Sequence, residues 1–317
     1  MDNALQSESG RWAVILGGSS GFGLAAARKL AREGMNLFLV HRDRRGAMKQ
    51  IEPHFDELRA LGTQVVTRNA DALGDESREE LVAALREAMG PQGRVRLLLH
   101  SVAFGNLKLI APEAPAPRDT LGSLADALGL EAADLIQKVE GLIDAGHDAL
   151  VDLAPAPEYP DHAYLEEEDF TRTIHAMGTS VVGWARALLE ADLFADDARV
   201  IGLTSEGNEV AWKGYAAVAA AKVALESVSR AMAVELAPRG IRSNVVQPGV
   251  TDTPALRAIP GARQLRSHAR RRNPFGRLTT PDDVADVIYL LTRDEAAWVN
   301  GTVLRVDGGE HVSGGLG

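Results

Sequence analysis

The chain has 317 residues, 45% of them hydrophobic and none of them cysteine, with a formal net charge of -10. This is enough apolar material for one large core, while the missing thiols exclude disulfides, zinc–thiolate sites and cysteine nucleophiles and suit a reducing compartment. The acidic balance argues against nucleic acid or an anionic membrane as the main partner.

In chain order, the first residues, MDNALQSESGR, lack the basic and apolar regions of a secretory signal. No apolar run approaches the roughly 18 to 20 residues of a membrane span, so a cytoplasmic protein is expected. Short apolar runs then recur at Trp12 to Leu16, Asn36 to Val40, Gln64 to Thr67, Val95 to His100, Arg199 to Thr204, Arg242 to Gln247 and Thr302 to Val306. They read as buried strands. Between them lie helical patterns, at Leu24 to Glu33, Arg78 to Met89, Lys222 to Leu236 and Asp282 to Leu291. Strands alternating with helices build a parallel sheet through right-handed crossovers. The expected fold is therefore α/β, a Rossmann-like doubly wound sheet of about seven strands with helices on both faces, in a single domain over residues 1–317.

Residues 105–170 break that rhythm. A Pro/Ala-rich stretch (Ala111 to Pro117) leads into an amphipathic helical stretch (Ser123 to Leu153), and an acidic, proline-rich stretch (Ala154 to Asp169) follows. Prolines bracketing helices mark a largely helical insertion, serving as an oligomer contact or surface embellishment or as a lid over a substrate.

Directly after the first strand stands Gly17-Gly18-Ser19-Ser20-Gly21-Phe22-Gly23, followed by helix-forming residues. Glycines let the backbone turn tightly against a pyrophosphate, and free N–H groups at a helix start favour its charge. The second strand ends in Val40-His41-Arg42-Asp43. A basic residue at that tip suits the 2′-phosphate of NADP, whereas an acidic one would bond the ribose of NAD. Arg42 therefore points to NADPH over NADH, with Asp43 as the competing ribose contact. Farther on, Tyr215 and Lys222 stand seven residues apart, close to two turns of one helix, so both project from one face. Hydride transfer to a polarised carbonyl or enone needs a proton donor at the oxygen. A phenol with a pKa of about 10 is weak until a neighbouring ammonium lowers it.

The spacing G-x-x-x-G-x-G, the Tyr-x6-Lys pair, Gln247-Pro248-Gly249-Val250-Thr251-Asp252-Thr253, and Asn300-Gly301-Thr302 through Val306-Asp307-Gly308-Gly309 resemble the short-chain dehydrogenase/reductase family over about residues 11–104 and 170–312. The resemblance implies that Gly17, Ser19, Ser20, Gly21, Phe22 and Gly23 cradle the cofactor phosphates and that Asp71 and Ala72 border its adenine. It places Ser101, Val102 and Ala103 on the adenine-ribose side, and Pro248, Gly249, Thr251, Thr253 and Lys222 at the nicotinamide end. It also implies a homo-oligomer, tetramer or dimer, and a mobile substrate loop at residues 254–275. In that loop the basic run Arg266-Ser267-His268-Ala269-Arg270-Arg271-Arg272 could attract a coenzyme A phosphate or an acidic acyl carrier protein, or form a solvated helix face.

The chain departs from the family pattern in places. Leu16 stands where a threonine is common, and Ile174-His175-Ala176-Met177 occupies the position of the asparagine that completes the catalytic tetrad. Ser205 lies ten residues before Tyr215, whereas ketone-reducing members carry their serine thirteen before it, where this chain has Gly202. That short loop, together with His100-Ser101-Val102-Ala103-Phe104 after the fourth strand, resembles the enoyl-acyl-carrier-protein reductase branch. There an aromatic residue is common near Ser205.

The expected activity is thus reduction of the 2,3 double bond of an enoyl thioester, carried by acyl carrier protein or coenzyme A. Tyr215, with help from Ser205, would stabilise the substrate oxygen, and Lys222 would tune Tyr215; no metal is involved. The alternatives are a 3-oxoacyl thioester or other carbonyl reductase, favoured by Ser205, and a nucleotide-binding protein without turnover.

Overall fold

Strands that are apolar on both faces need cover on both sides, and the seven runs meet that need in one sheet. In a computed structural model, which describes residues 10–114, 120–159 and 164–314, they form β1 (Arg11–Leu16), β2 (Asn36–His41), β3 (Val65–Asn69), β4 (Arg94–His100), β5 (Phe194–Leu203), β6 (Arg242–Pro248) and β7 (Val303–Val306). Their order is β3-β2-β1-β4-β5-β6-β7, and every pair is parallel. The expected doubly wound α/β fold is the one observed. The N-terminal segment read as lacking a secretory signal, residues 1–9, and residues 115–119 and 160–163 of the proline-rich stretches lie outside the described residues.

The helices are α1 (Gly21–Arg32), α2 (Met48–Arg59), α3 (Asp75–Met89), α4 (Thr120–Leu128), α5 (Ala132–Asp144), α6 (Glu167–Ile174), α7 (Ser180–Glu190), α8 (Ala216–Glu235), α9 (Pro254–Arg257), α10 (Ala262–Arg272) and α11 (Pro281–Thr292). A π-helical turn, His175–Thr179, joins α6 to α7. On one face of the sheet, Leu30 of α1, Phe55 of α2 and Ile288 of α11 share a core with Ile15, Leu39 and Leu99. On the other face Leu85 of α3, Trp184 of α7 and Leu225 of α8 share one with Val14, Leu98 and Val200. Each such side chain contributes roughly 1.5–3 kcal/mol on burial.

Three local features differ from the sequence reading. The stretch Ser123 to Leu153, read as one helical run, is broken into α4, α5 and a 3-10 turn at Asp148–Leu153. Gly129 and Gly146 sit at the breaks with φ of 64° and 97°, a left-handed conformation that ends a helix. Helix α2 was not anticipated, because Pro53 lies inside it. The burial of Ile51, Phe55 and Leu58 on one face outweighs the roughly 3 kcal/mol penalty of an interior proline. Finally, Tyr215 is not inside a helix with Lys222 but is the N-cap residue of α8.

Candidate active site

Register decides where the loops emerge. Leu16 pairs with both Val40 and His100, His100 with Gly202, and Leu203 with Val246. The carboxyl ends of five strands are therefore level, and their loops converge where the strand order reverses between β1 and β4, the crevice of a doubly wound sheet. A cleft of about 460 Å³ opens there.

At its inner end lie Gly17, Ser19, Ser20, Gly21 and Phe22. Gly17 has φ 90°, and a Cβ on it would stand 2.5 Å from the Ser101 carbonyl oxygen, so no other residue fits the turn. Gly23 does not line the cleft. A Cβ there would stand 2.1 Å from Gly17 O, so its task is to let α1 pack onto the first turn. Ser20, the N-cap of α1, makes no side-chain cap bond, which leaves first-turn N–H groups available to an anion. This tight, side-chain-free cradle at a helix start fits the pyrophosphate of a dinucleotide.

Arg42, Asp71, Ala72, Ser101, Val102 and Ala103 line the neighbouring part of the cleft. The Arg42 guanidinium lies 4.7 Å from the Phe104 ring centre and 3.7 Å from Asp71, held at the rim but still half exposed. Asp43, the competing acidic residue, is 2.8 Å from Nδ1 of buried His41. Its carboxylate is thereby engaged within the protein. Asp71 caps its own turn by accepting from Leu73 N at 3.1 Å, and Trp184 Nε1 donates to Ala72 O at 2.8 Å, fixing this loop to α7.

Ser205, Tyr215 and Lys222 meet at the other end of the cleft with Pro248, Gly249, Thr251 and Thr253. Ser205 Oγ is 3.2 Å from Tyr215 Oη, so its hydroxyl serves the tyrosine and does not cap the turn that it starts. Lys222 Nζ donates to Leu203 O at 2.8 Å. Burial pushes the Tyr215 phenol up, and the hydrogen bond with Ser205 opposes that rise. Lys222 itself is pushed down to about 8 by burial, against the charge of Glu226. His100, buried beneath, is pushed down to about 3 by burial and by Lys222 and is neutral. Thr251 Oγ1 donates to Gly249 O at 2.9 Å, and Thr253 Oγ1 accepts from Leu256 N at 3.2 Å, so both threonines are locked into the turn after β6.

The wall beyond Tyr215 is apolar, built from Leu107, Met177, Trp212, Val218, Leu256 and Ile259. Leu256 and Ile259 fall in the expected substrate loop and Met177 at the tetrad position, but none of the six stood out in the sequence as a wall of the cleft. Only Trp212 and Val218, three residues either side of Tyr215, could have been found by spacing. Met177 comes from the π-helical turn that occupies the place of the tetrad asparagine. His175 is exposed, with Nε2 3.3 Å from Leu73 O, and does not line the cleft.

The arginine run of α10 is engaged elsewhere. Arg263 pairs with Glu140 and Asp144, Arg270 with Asp148 at 2.5 Å, Arg271 with Asp152 at 3.8 Å, and Arg266 with Asp252 at 3.5 Å. Arg272 bonds Glu206 at 2.6 Å and Glu310 at 3.1 Å. Of these, Arg263, Arg270 and Arg271 reach α5 and the turn after it, while Arg266 and Arg272 pair with other loops. The result is a clasp between residues 140–152 and α10.

A family model described as short chain dehydrogenase matches residues 11–115, and one described as enoyl-(acyl carrier protein) reductase matches residues 131–311. Among curated proteins, a cis-4-hydroxycyclohexanecarboxylate dehydrogenase of Sinomonas cyclohexanicum is 27% identical, over 94% of this chain and 96% of that one. The 3-oxoacyl-[acyl-carrier-protein] reductase of Escherichia coli is 24% identical, over 80% and 92%. Among solved structures, an enoyl-[acyl-carrier-protein] reductase (NADH) from Aquifex aeolicus superposes with a TM-score of 0.68 at 24% identity, covering 97% of this chain and 98% of that one.

Proposed function

The chain belongs to the short-chain dehydrogenase/reductase family and is an oxidoreductase, and on that premise we propose that it is an NADPH-dependent reductase of the 2,3 double bond of an enoyl thioester. The observation that carries this reading is the Ser205–Tyr215 pair, two hydroxyls 3.2 Å apart at the mouth of an apolar cleft. Two converging donors suit an oxygen on which negative charge develops. Gly17, Ser19, Ser20, Gly21 and Phe22 would hold the cofactor phosphates, Arg42 the 2′-phosphate, Asp71, Ala72, Ser101, Val102 and Ala103 the adenosine, and Pro248, Gly249, Thr251, Thr253 and Lys222 the nicotinamide end. The nicotinamide supplies the hydride when bound.

The chain's own residues supply the rest. The acyl chain lies against Leu107, Trp212 and Ile259, which exclude water. The thioester oxygen would sit against Tyr215 Oη and Ser205 Oγ; as hydride adds at the β-carbon the 2,3 π pair would shift toward the α-carbon and this oxygen, Tyr215 Oη would give its proton there, and that proton would pass to the α-carbon as the carbonyl re-forms. Lys222, cationic at neutral pH with its group pushed down only to about 8, adds positive charge beside them. The ten-residue spacing from Ser205 to Tyr215 and the family model over residues 131–311 support the enoyl reading.

A second reading, reduction of a ketone to an alcohol, is supported by the serine hydroxyl on Tyr215 and by the names of the curated relatives. NADPH consumption by the purified protein separates them. With crotonyl-coenzyme A the absorbance at the reduced-nicotinamide band falls, and with acetoacetyl-coenzyme A it stays flat; the reverse pattern overturns the enoyl assignment. NADH in place of NADPH is expected to be the poorer donor. By analogy with the family we propose a homo-oligomer acting in the cytoplasm. Residues 105–170 are the insertion of a single domain, clasped through Arg263 and Arg270 to the substrate loop 254–275, and act as its lid.

A further inference from the structure

Helix α8 carries three polar groups toward the end of β5: Tyr215 at its start, Lys222 two turns in, and Glu226 one turn later. The third is not accounted for by the reaction above. One oxygen, Glu226 Oε1, accepts from Thr204 Oγ1 at 2.6 Å and from Asn208 Nδ2 at 2.5 Å. Thr204 and Asn208 are the two ends of the short turn that holds Ser205, and Thr204 is buried at 4% exposure. The other amide atom of Asn208, Oδ1, is buried with no protein partner, so the bond to Glu226 is what anchors that side chain. The middle of the same turn rests on the tyrosine ring, where a Cβ at Gly207 would stand 2.4 Å from Tyr215 Cε1. The turn is therefore fastened to α8 at both ends by one carboxylate and seated on Tyr215 between them.

We propose that Glu226 is a positioning residue for the reaction: it fixes the Thr204–Asn208 turn so that Ser205 Oγ stays on Tyr215 Oη. This rests on the assignment of Ser205 and Tyr215 as the pair that meets the substrate oxygen. A carboxylate accepting two hydrogen bonds loses both when truncated, and a misplacement of about 1 Å at a catalytic group costs on the order of a hundredfold in rate. A glutamine keeps an acceptor oxygen at the same place and removes only the charge. That charge also opposes the desolvation of Lys222, so its loss moves Lys222 to lower pH.

Two readouts test the proposal. The first, free of cofactor and substrate, is the titration of the Tyr215 phenol, read as the ultraviolet difference between each protein and its Tyr215→Phe partner. Because the Ser205 bond pulls the phenol down, Ser205→Ala raises this titration. Glu226→Ala is expected to raise it in the same direction, while Glu226→Gln stays near the parent. The second is steady-state turnover with NADPH. Glu226→Ala lowers kcat by about tenfold to a hundredfold with little change in KM for NADPH. Glu226→Gln recovers most of that loss and moves the basic limb of the pH profile to lower pH.

If Glu226→Ala does not fold, the double variant Thr204→Val with Asn208→Ala removes the same two donors and is read in its place. Parental titration and kcat in the truncated proteins, with Ser205→Ala shifting both, overturn the role of Glu226. If Ser205→Ala itself shifts neither, the assignment of the Ser205–Tyr215 pair falls, and this inference falls with it.

Discussion

At the amino-terminal edge of the sheet, Arg96 and Arg199 are 1% and 0% exposed, yet each finds several acceptors. Asp197 bonds both, and Arg242 at 2.5 Å as well. Arg96 also donates to Thr292 O, and Arg199 to Leu291 O, the carbonyl-rich end of α11 where positive charge is favoured. At the carboxyl-terminal edge Lys222 is also buried but is bonded to one carbonyl. Three of the four buried side-chain atoms without a protein partner among the described residues, His100 Nδ1, Asn208 Oδ1 and Gln247 Oε1, belong to this edge or the loop beyond it. The difference teaches that one sheet can carry buried charge in two ways. Where the network is closed it locks the fold, and where it is open it leaves polar groups for a ligand, at a cost in stability.

Breaking the closed network is expected to have the largest effect. Asp197→Ala leaves Arg96 and Arg199 short of their counter-charge and lowers the unfolding free energy by roughly 3 kcal/mol, measured by urea titration, with turnover of the surviving folded protein near the parent's. Burial would push Asp197 up, but its bonds to Arg199 and Arg96 hold it down at about 2. A depressed carboxylate contributes stability above its unfolded value of about 3.9 and loses it as pH falls toward the folded one. The parent therefore weakens between about pH 4 and pH 2, and Asp197→Ala flattens that limb.

Tyr215→Phe sharpens the contrast from the other edge. It lowers kcat by at least about a hundredfold while NADPH still binds and the urea midpoint hardly moves. Smaller still, Arg42→Ala raises KM for NADPH about tenfold, the equivalent of one charge-assisted bond, and leaves KM for NADH unchanged. Equal losses with both cofactors would mean that Arg42 serves the rim through Phe104 and Asp71 and not the 2′-phosphate.

The two edges were not equally legible in the sequence. The strands and the glycine turn before α1 could be read because each follows from a local pattern, an apolar run or Gly17 through Gly23 before a helix, whereas the order of the strands came only with the fold. The closed network could not. Arg96 and Arg199 interrupt strand runs as if they faced solvent, and only the fold brings Asp197 and the end of α11 to them. The seven-residue spacing of Tyr215 and Lys222 suggested one helix, whereas Tyr215 caps α8 and meets Ser205 across a turn, a contact that only the fold creates. The ion pairs of the arginines in α10 were equally hidden, since Arg263 and Arg270 find Glu140, Asp144 and Asp148 more than a hundred residues away in sequence.

Lys222 is the residue on which the comparison turns. Burial pushes it down to about 8 from the ordinary lysine value of 10.5, so between these values the unfolded chain holds a proton that the fold does not, and stability rises with pH across that window. Below it, the fold carries a buried ammonium at full cost. The most direct test is urea unfolding at pH 7 of the parent and of Lys222→Met. After deducting the lost bond to Leu203 O, the methionine protein is expected to be more stable by roughly 1 kcal/mol and inactive with NADPH. A methionine protein less stable than its parent would contradict the account, because Lys222 would then belong to a closed structural network and not to a site held open for chemistry.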